Sequence, residues 1–240
     1  MIIMSLPWIS FQMFRELFDS LYLNNGFTLR RNYIDSDLVD KLLSLTSGLN
    51  TSGYYPNTKA HSYLDQHSDL SLLGDDLFSH YSTSPGFNGK RSDEYRILRV
   101  TSPGDSSEAG RFHFDSHCAT LVIGLQVDLN QGGGLLTWPL SRALPTNIFS
   151  DAFGKLSRYH KLPNFIKFRG LSDSLDLSLG SGDVVLFEGY TCFHGNELLS
   201  PNTSMPRKVL IIHFFDYFGG HSLGGLVRNI RSKITRKSSN

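Results

Sequence analysis

Two histidines and an aspartate have the residue types and the spacing of a metal site. One residue separates His113 from Asp115, and His194 follows much later in the chain. On an extended chain, residues i and i+2 point to the same side, so an imidazole and a carboxylate can reach one metal ion together. Two imidazoles and one carboxylate on one face of an octahedron leave three positions open, which suits Fe(II) and dioxygen chemistry. The pattern predicts an iron site at His113, Asp115 and His194.

A second His-x-Asp tripeptide, His67-Ser68-Asp69, competes with this assignment. A chain with nine histidines and many aspartates is expected to contain about one such tripeptide by chance. His67 lies in a polar stretch that leads into a helix-like sequence, with no evident sheet partner. His113, in contrast, has β-prone segments on either side. We therefore favour His113 and Asp115 as the ligand pair.

Short β-prone runs separated by glycines must position these side chains. The runs are Tyr95 to Val100, Ala119 to Val127, Leu135 to Trp138, Asp183 to Phe187 and Arg207 to Phe215. The glycine-rich stretch 130–134 predicts a turn between two of them. This half of the chain is predicted to be a β-sandwich or barrel, with the candidate ligands at the ends of strands.

Helical patterns precede the β-prone region. Apolar residues recur at helical spacing from Phe11 to Leu21 behind Ser10 as the N-cap, and a second helix is predicted behind Asp35. Residues 46–93 are rich in Ser, Gly, Asn, Tyr and Pro and are predicted to form loops and a lid-like excursion, with one helix near Leu70 to His80. An irregular insertion at 141–180 is predicted to contain a helix that begins near Asn147.

Several of these features occur together in one known family. The order of His113-x-Asp115, the glycine turn, the segment GDVVLFEG before His194, and the strand headed by Arg207 resembles the core of the Fe(II)- and 2-oxoglutarate-dependent dioxygenases. The prolyl-hydroxylase-like and phytanoyl-hydroxylase-like branches are the most similar. The resemblance spans residues 95–218, about half of the chain.

The resemblance implies a mainly β fold with flanking helices, built on a double-stranded β-helix of the jelly-roll, cupin-like type. It implies one dioxygenase domain over residues 1–240, with helices and loops in 1–94, the β-helix core in 95–218 and a basic tail in 219–240. The metal ligands would be His113, Asp115 and His194, and Arg207 would bind the distal carboxylate of 2-oxoglutarate. Such enzymes use dioxygen, release succinate and carbon dioxide, and most often hydroxylate a C–H bond.

The residues around Arg207 agree with this role. The segment RKVLIIHFF is apolar on both faces, and a charge at the start of a buried strand is costly unless it is paired. A carboxylate that accepts two hydrogen bonds would satisfy the guanidinium. Val209 stands where some relatives have a serine as second anchor, and Lys208 is the alternative to Arg207 if the register differs by one residue.

Two further positions bear on the reaction and the substrate. Halogenating relatives replace the carboxylate with a small residue, so Asp115 favours hydroxylation, desaturation or ring chemistry. Nucleic-acid dealkylating relatives carry a second arginine where this chain has His213, which argues against a nucleic-acid substrate.

We expect a small-molecule substrate such as an amino acid or a natural-product intermediate. A cupin-like metal- or ligand-binding protein without turnover, and a metalloenzyme that does not use 2-oxoglutarate, are the alternatives.

Composition sets the remaining limits. The 240 residues are 40% hydrophobic and 19% charged, which excludes a disordered chain and allows one substantial core. The net charge is +1, but five basic residues lie between 228 and 237, so the rest of the chain is acidic and a generally basic nucleic-acid binder is not expected. Cys118 and Cys192 are the only cysteines and are predicted to be small buried apolar residues. We expect a cytoplasmic protein with no membrane partner, and the sequence indicates no oligomeric state.

Overall fold

A computed structural model of the protein gives the elements that carry the candidate site. It describes residues 13–107, 112–128, 132–145, 147–151, 175–177 and 179–219. The helices are α1 (Arg15–Leu23), α2 (Ser36–Ser44), α3 (Lys59–His67) and α4 (Leu70–Ser82). The strands are β1 (Phe27–Arg30), β2 (Gly53–Pro56), β3 (Tyr95–Thr101), β4 (His117–Gln126), β5 (Leu135–Trp138), β6 (Leu175–Leu177), β7 (Val184–Glu188), β8 (Phe193–Asn196) and β9 (Arg207–Asp216).

The strands form two antiparallel sheets. The larger has the order β1-β7-β4-β9-β3-β2 and the smaller the order β6-β5-β8. Val122, Val185 and Val209 of the large sheet pack in one apolar cluster with Leu135 of β5 and with Cys192, which directly precedes β8. The sheets therefore face each other across a buried layer, as in a jelly roll. The predicted double-stranded β-helix is confirmed.

The other face of the large sheet carries the helices. Alternate side chains of β4 and β9, such as Leu121 and Leu210, pack in a second cluster with Leu17, Leu42 and Leu73 of the helices. Because successive side chains of a strand point to opposite faces, both faces of β4 and β9 are buried. This explains why their sequences read as nearly continuous apolar runs.

The competing tripeptide has a structural role. The carboxylate of Asp69 accepts hydrogen bonds from the backbone N–H groups of Phe14 (2.8 Å) and Arg15 (3.0 Å), which lie at the start of α1. His67 is exposed at the end of α3. Asp69 thus satisfies backbone N–H groups that a helix leaves unpaired at its start. This structural role agrees with the choice of His113 and Asp115 as the ligand pair.

The expectation for residues 46–93 is wrong in part. Instead of loops with one helix, this segment contains β2, α3 and α4. At the start of α3, the imidazole Nδ1 of His61 accepts a hydrogen bond from the backbone N–H of Thr58 at 3.1 Å. Glu or Gln normally makes this reciprocal bond in a capping box, so the histidine concealed the helix start. Since α3 and α4 pack on the outer face of the large sheet, most of this segment is scaffold.

Some predictions concern residues that the structure describes only partly. The helix expected near Asn147 is present at residues 148–151, and the rest of the predicted helix lies outside the described residues. Ser10 and the basic tail beyond residue 219 also lie outside them. Within the described part of the chain, no helix is both long enough and apolar enough to cross a membrane.

Candidate metal centre

The two candidate histidine ligands are joined through their backbones. The N–H of His113 donates to the carbonyl of His194 at 2.8 Å, and the N–H of His194 donates to the carbonyl of His113 at 3.0 Å. This antiparallel bridge places the residues directly opposite each other, so their side chains lie on the same face. Their ring centroids are 4.5 Å apart. Strand pairing therefore brings together two histidines that are distant in sequence.

Asp115 completes the cluster. Its backbone N–H donates to the carbonyl of Gly189 at 3.0 Å, and its Oδ1 lies 3.4 Å from Nε2 of His113 and 3.7 Å from Nε2 of His194. The three potential ligand atoms all lie within 4.8 Å of one another. Ligands bonded at about 2.1 Å to one ion lie about 3 Å apart when they are adjacent. Small side-chain movements would therefore suffice to hold a metal ion.

The protonation states favour metal binding. Burial lowers the pKa of His194 to about 4, so its imidazole is neutral near pH 7. Its Nδ1 is 3.1 Å from the carbonyl of Cys192, which suits an N–H donor there and leaves the Nε2 lone pair directed towards Asp115. Burial opposes ionisation of Asp115, but the neighbouring imidazoles of His194, His213 and His113 hold the pKa of its carboxyl group well below its usual range. The structure thus places the neutral imidazole of His194 beside an ionised carboxylate.

The second oxygen of Asp115 has other partners. Its Oδ2 accepts a hydrogen bond from the hydroxyl of Thr120 at 2.5 Å and lies 3.4 Å from Nδ1 of His213. His213 also stacks on His117, with ring centroids 4.7 Å apart and planes at 23°. The buried His117 therefore packs against a neighbour of the candidate ligand. The contact between Thr120 and Asp115 cannot be predicted from the sequence, because a lone threonine in an apolar strand gives no signal.

Position 189, which packs against Asp115 in space, requires a glycine. A Cβ atom at Gly189 would overlap the backbone carbonyl of His117 and would approach Cβ of Asp115 to 2.8 Å. The backbone of Gly189 also bonds to Asp115 and to Cys118. The glycine that ends the segment GDVVLFEG thus allows two chain segments to pack closely behind the cluster.

We expect Gly189→Ala to destabilise the fold by about 1–3 kcal/mol and to displace Asp115. Denaturant unfolding measures the first effect, and a titration with Mn(II) measures the second. Gly48→Ala is the matched control, since no atom lies within 4 Å of a Cβ placed there. Equal stability and equal Mn(II) affinity in both variants would contradict the packing described.

Arg207 lies apart from the cluster and has an unsatisfied side chain. It is only 4% exposed, and its Nε has no hydrogen-bond partner in the part of the chain that the structure describes. It lines a cavity of about 110 Å³ together with Arg99, Thr101 and Tyr54, and with the acidic residues Asp105 and Glu197. Among the described residues, no carboxylate lies within ion-pair distance of Arg207. Burial and the charge of Arg99 lower its pKa to about 9, so it remains charged near neutral pH.

A buried guanidinium without a partner is energetically costly, and a bound anion would satisfy it. The alternative residue, Lys208, points to the opposite face of β9, where its Nζ donates to the carbonyl of Thr46 at 3.2 Å. Of the two neighbouring cations, the structure brings only Arg207 to the cavity.

The other singled-out residues are part of the packing. Cys118 and Cys192 are both buried and unpaired, and burial raises the pKa of both thiols. The prediction that they are small buried apolar residues is confirmed. Trp138 packs in an aromatic cluster with Phe114 and Phe193. His194 follows β7 and a turn that begins at Gly189, as the sequence predicts, and it also belongs to the short strand β8, which the sequence does not predict.

Comparisons with known proteins bear on the fold. The sequence matches no family model and has no significant match among curated proteins. The structure is similar to that of a Pseudomonas putida prolyl-4-hydroxylase, with a TM-score of 0.53 and 14% identity over 84% of this chain and 97% of that one. The fold is that of a prolyl hydroxylase. The family resemblance drawn from the sequence is thus confirmed at the level of the fold.

A second solved structure, AviO1 from Streptomyces viridochromogenes Tue57, matches this prolyl-hydroxylase-like fold with a TM-score of 0.50 and 16% identity. The match covers 83% of this chain and 94% of that one. In both comparisons nearly the whole of the other chain is matched. The shared fold therefore extends over most of this chain.

Proposed function

We propose that the protein is an Fe(II)- and 2-oxoglutarate-dependent oxygenase that hydroxylates an unactivated C–H bond of a small molecule, such as an amino acid or a natural-product intermediate. The observation that carries the proposal is the convergence of His113, Asp115 and His194 on a prolyl-hydroxylase fold. We further propose that residues 1–240 act as one domain and that the enzyme works in the reducing cytoplasm, where its two unpaired cysteines would be stable.

The donor set fits Fe(II). Two imidazole nitrogens and one carboxylate oxygen bind three positions on one face of the ion and leave the others for small ligands. His194 needs to lose no proton near pH 7, since its pKa is about 4. When bound with 2-oxoglutarate and dioxygen, Fe(II) at such a site supplies the oxidising chemistry that yields succinate, carbon dioxide and an oxidised substrate.

Arg207 is the residue proposed to hold 2-oxoglutarate. Its buried Nε, which has no partner among the described residues, and the adjoining cavity provide a place for the distal carboxylate. A guanidinium presents two parallel N–H donors that match a carboxylate. Arg99 lines the same cavity and lowers the pKa of Arg207, so a bound dianion would also reduce the repulsion between the two cations.

The substrate class is supported by the residues around the cluster. Asp115 occupies the position at which halogenating relatives have a small residue, which favours hydroxylation. His213, at the position of the second arginine of nucleic-acid dealkylating relatives, contacts Asp115 and Thr120 and is thus engaged inside the protein. The first feature argues against halogenation, and the second argues against a nucleic-acid substrate.

The proposal is tested by succinate production. We expect the protein loaded anaerobically with Fe(II) to form succinate once 2-oxoglutarate and dioxygen are added, and a panel of amino acids and natural-product intermediates to include a compound that stimulates this reaction. A protein that binds metal but forms no succinate with any compound would be a cupin-like binder. Full activity without 2-oxoglutarate would indicate a different metalloenzyme. Either result would overturn the proposal.

A further inference from the structure

We propose that Thr120 and His213 are positioning residues that orient the carboxylate of Asp115, so that Oδ1 faces the metal and Oδ2 faces away from it. The inference deepens the proposed function and rests on it for the identity of the metal. It concerns the two oxygens of one carboxylate, which the structure places in different surroundings.

The distances separate the two oxygens clearly. Oδ1 of Asp115 lies 3.4 Å and 3.7 Å from the Nε2 atoms of His113 and His194. Oδ2 lies 2.5 Å from the hydroxyl of Thr120 and 3.4 Å from Nδ1 of His213. Asp115 and Thr120 are buried, so little solvent competes for these bonds. Only Oδ1 is directed towards the other two ligands.

The count of hydrogens fixes the direction of each bond. An ionised carboxylate only accepts hydrogen bonds, and a threonine hydroxyl has one hydrogen. The hydroxyl hydrogen of Thr120 is therefore donated to Oδ2 of Asp115. His213 Nδ1 lies 2.9 Å from the same hydroxyl oxygen and 3.4 Å from Oδ2 of Asp115. Since neither oxygen has a further hydrogen to give, this nitrogen carries the hydrogen and directs it towards these two oxygens.

The sheet holds this chain of bonds in place. Thr120 of β4 and His213 of β9 are directly opposite each other in the register, so backbone pairing sets the distance between their side chains. The ring of His213 lies nearly parallel to two neighbouring rings, with its centroid 4.7 Å from that of His117 and 6.0 Å from that of Tyr95. Stacking restricts rotation of the imidazole and keeps Nδ1 facing Thr120. Outer partners of this kind typically change metal affinity by about 10- to 100-fold.

The test is a calorimetric titration of the apoprotein with Mn(II), which needs no turnover. Thr120→Val has nearly the same shape but no hydroxyl, and we expect it to bind Mn(II) about 10- to 100-fold more weakly than the wild type. Thr120→Ser restores the hydroxyl and should recover most of the affinity. His213→Phe keeps the stack and removes the nitrogen donor, so it should weaken binding by less than Thr120→Val does.

Thr137→Val is the matched control. Thr137 is fully buried and pairs with His194 in the register, but among the described residues its hydroxyl has no hydrogen-bond partner. This variant should bind Mn(II) like the wild type. A Thr120→Val protein that keeps wild-type affinity, a Thr120→Ser protein as weak as the valine variant, or a Thr137→Val protein equally weakened would overturn the role of Thr120. An unchanged affinity in His213→Phe would overturn that of His213.

The outcomes separate this inference from the proposed function. A wild-type protein that binds Mn(II) but forms no succinate disproves the oxygenase, while the pattern of variant affinities still decides the positioning role. A wild-type protein that does not bind Mn(II) overturns both. Thermal unfolding of each variant without metal shows whether an affinity change comes from orientation or from loss of fold.

Discussion

Replacing His113 with Ala is expected to abolish turnover and to weaken binding of Fe(II) and Mn(II) by about 100-fold or more, because a direct ligand contributes more than the outer partners whose loss costs about 10- to 100-fold. His113 is about one-third exposed at its side chain, so the fold should tolerate the change. Metal titration of the apoprotein and succinate formation by the Fe(II)-loaded protein measure the two effects.

His67→Ala is the control for this variant. It removes the histidine of the other His-x-Asp tripeptide, whose aspartate caps α1 instead of facing a metal site. We expect wild-type metal affinity and wild-type turnover. If His113→Ala retained full metal affinity, or if His67→Ala lost it, the assignment of the ligand set would be wrong.

Replacing Arg207 with Met is expected to raise the concentration of 2-oxoglutarate needed for half-maximal turnover by about 100-fold or more. Each charge-assisted hydrogen bond contributes about 1.5–3 kcal/mol, two are lost, and about 1.4 kcal/mol corresponds to a factor of ten. Met keeps much of the apolar stem and removes a buried charge whose Nε has no partner within the described residues. The stability of the protein without 2-oxoglutarate should therefore not fall. Steady-state kinetics and denaturant unfolding test these statements.

Lys208→Met provides the matched control, since it removes the neighbouring cation on the other face of the same strand. Lys208 bonds to the carbonyl of Thr46, so we expect a small loss of stability and an unchanged requirement for 2-oxoglutarate. An increased requirement in Lys208→Met, together with none in Arg207→Met, would transfer the co-substrate role to the lysine.

The elements that the sequence predicts best are those with a single dominant signal. β4 and β9 are long apolar runs that are buried on both faces, and Asp35 caps α2 through a hydrogen bond to the N–H of Leu38. Strands and helix ends that depend on residues distant in sequence are not predicted. β8 has four residues and is defined by its pairing with β5, and the start of α1 is capped by Asp69, more than fifty residues away.

The same distinction applies to the site. The spacing of His113 and Asp115 is local, so the sequence indicates that they act together. Their meeting with His194 follows from a backbone bridge that no local pattern encodes, so only the residue types, the order of the motifs and the family resemblance indicate it. The contact of Thr120 with His213 depends on strand register alone. Cross-strand neighbours become visible only when the sheet is known.

The most direct test of the metal centre is anomalous diffraction from crystals of the protein grown with Mn(II). We expect one strong peak at about 2.0–2.3 Å from Nε2 of His113, Nε2 of His194 and Oδ1 of Asp115, with Oδ2 still bonded to Thr120. A manganese ion bound elsewhere, or no peak among these three side chains at saturating Mn(II), would contradict the assignment.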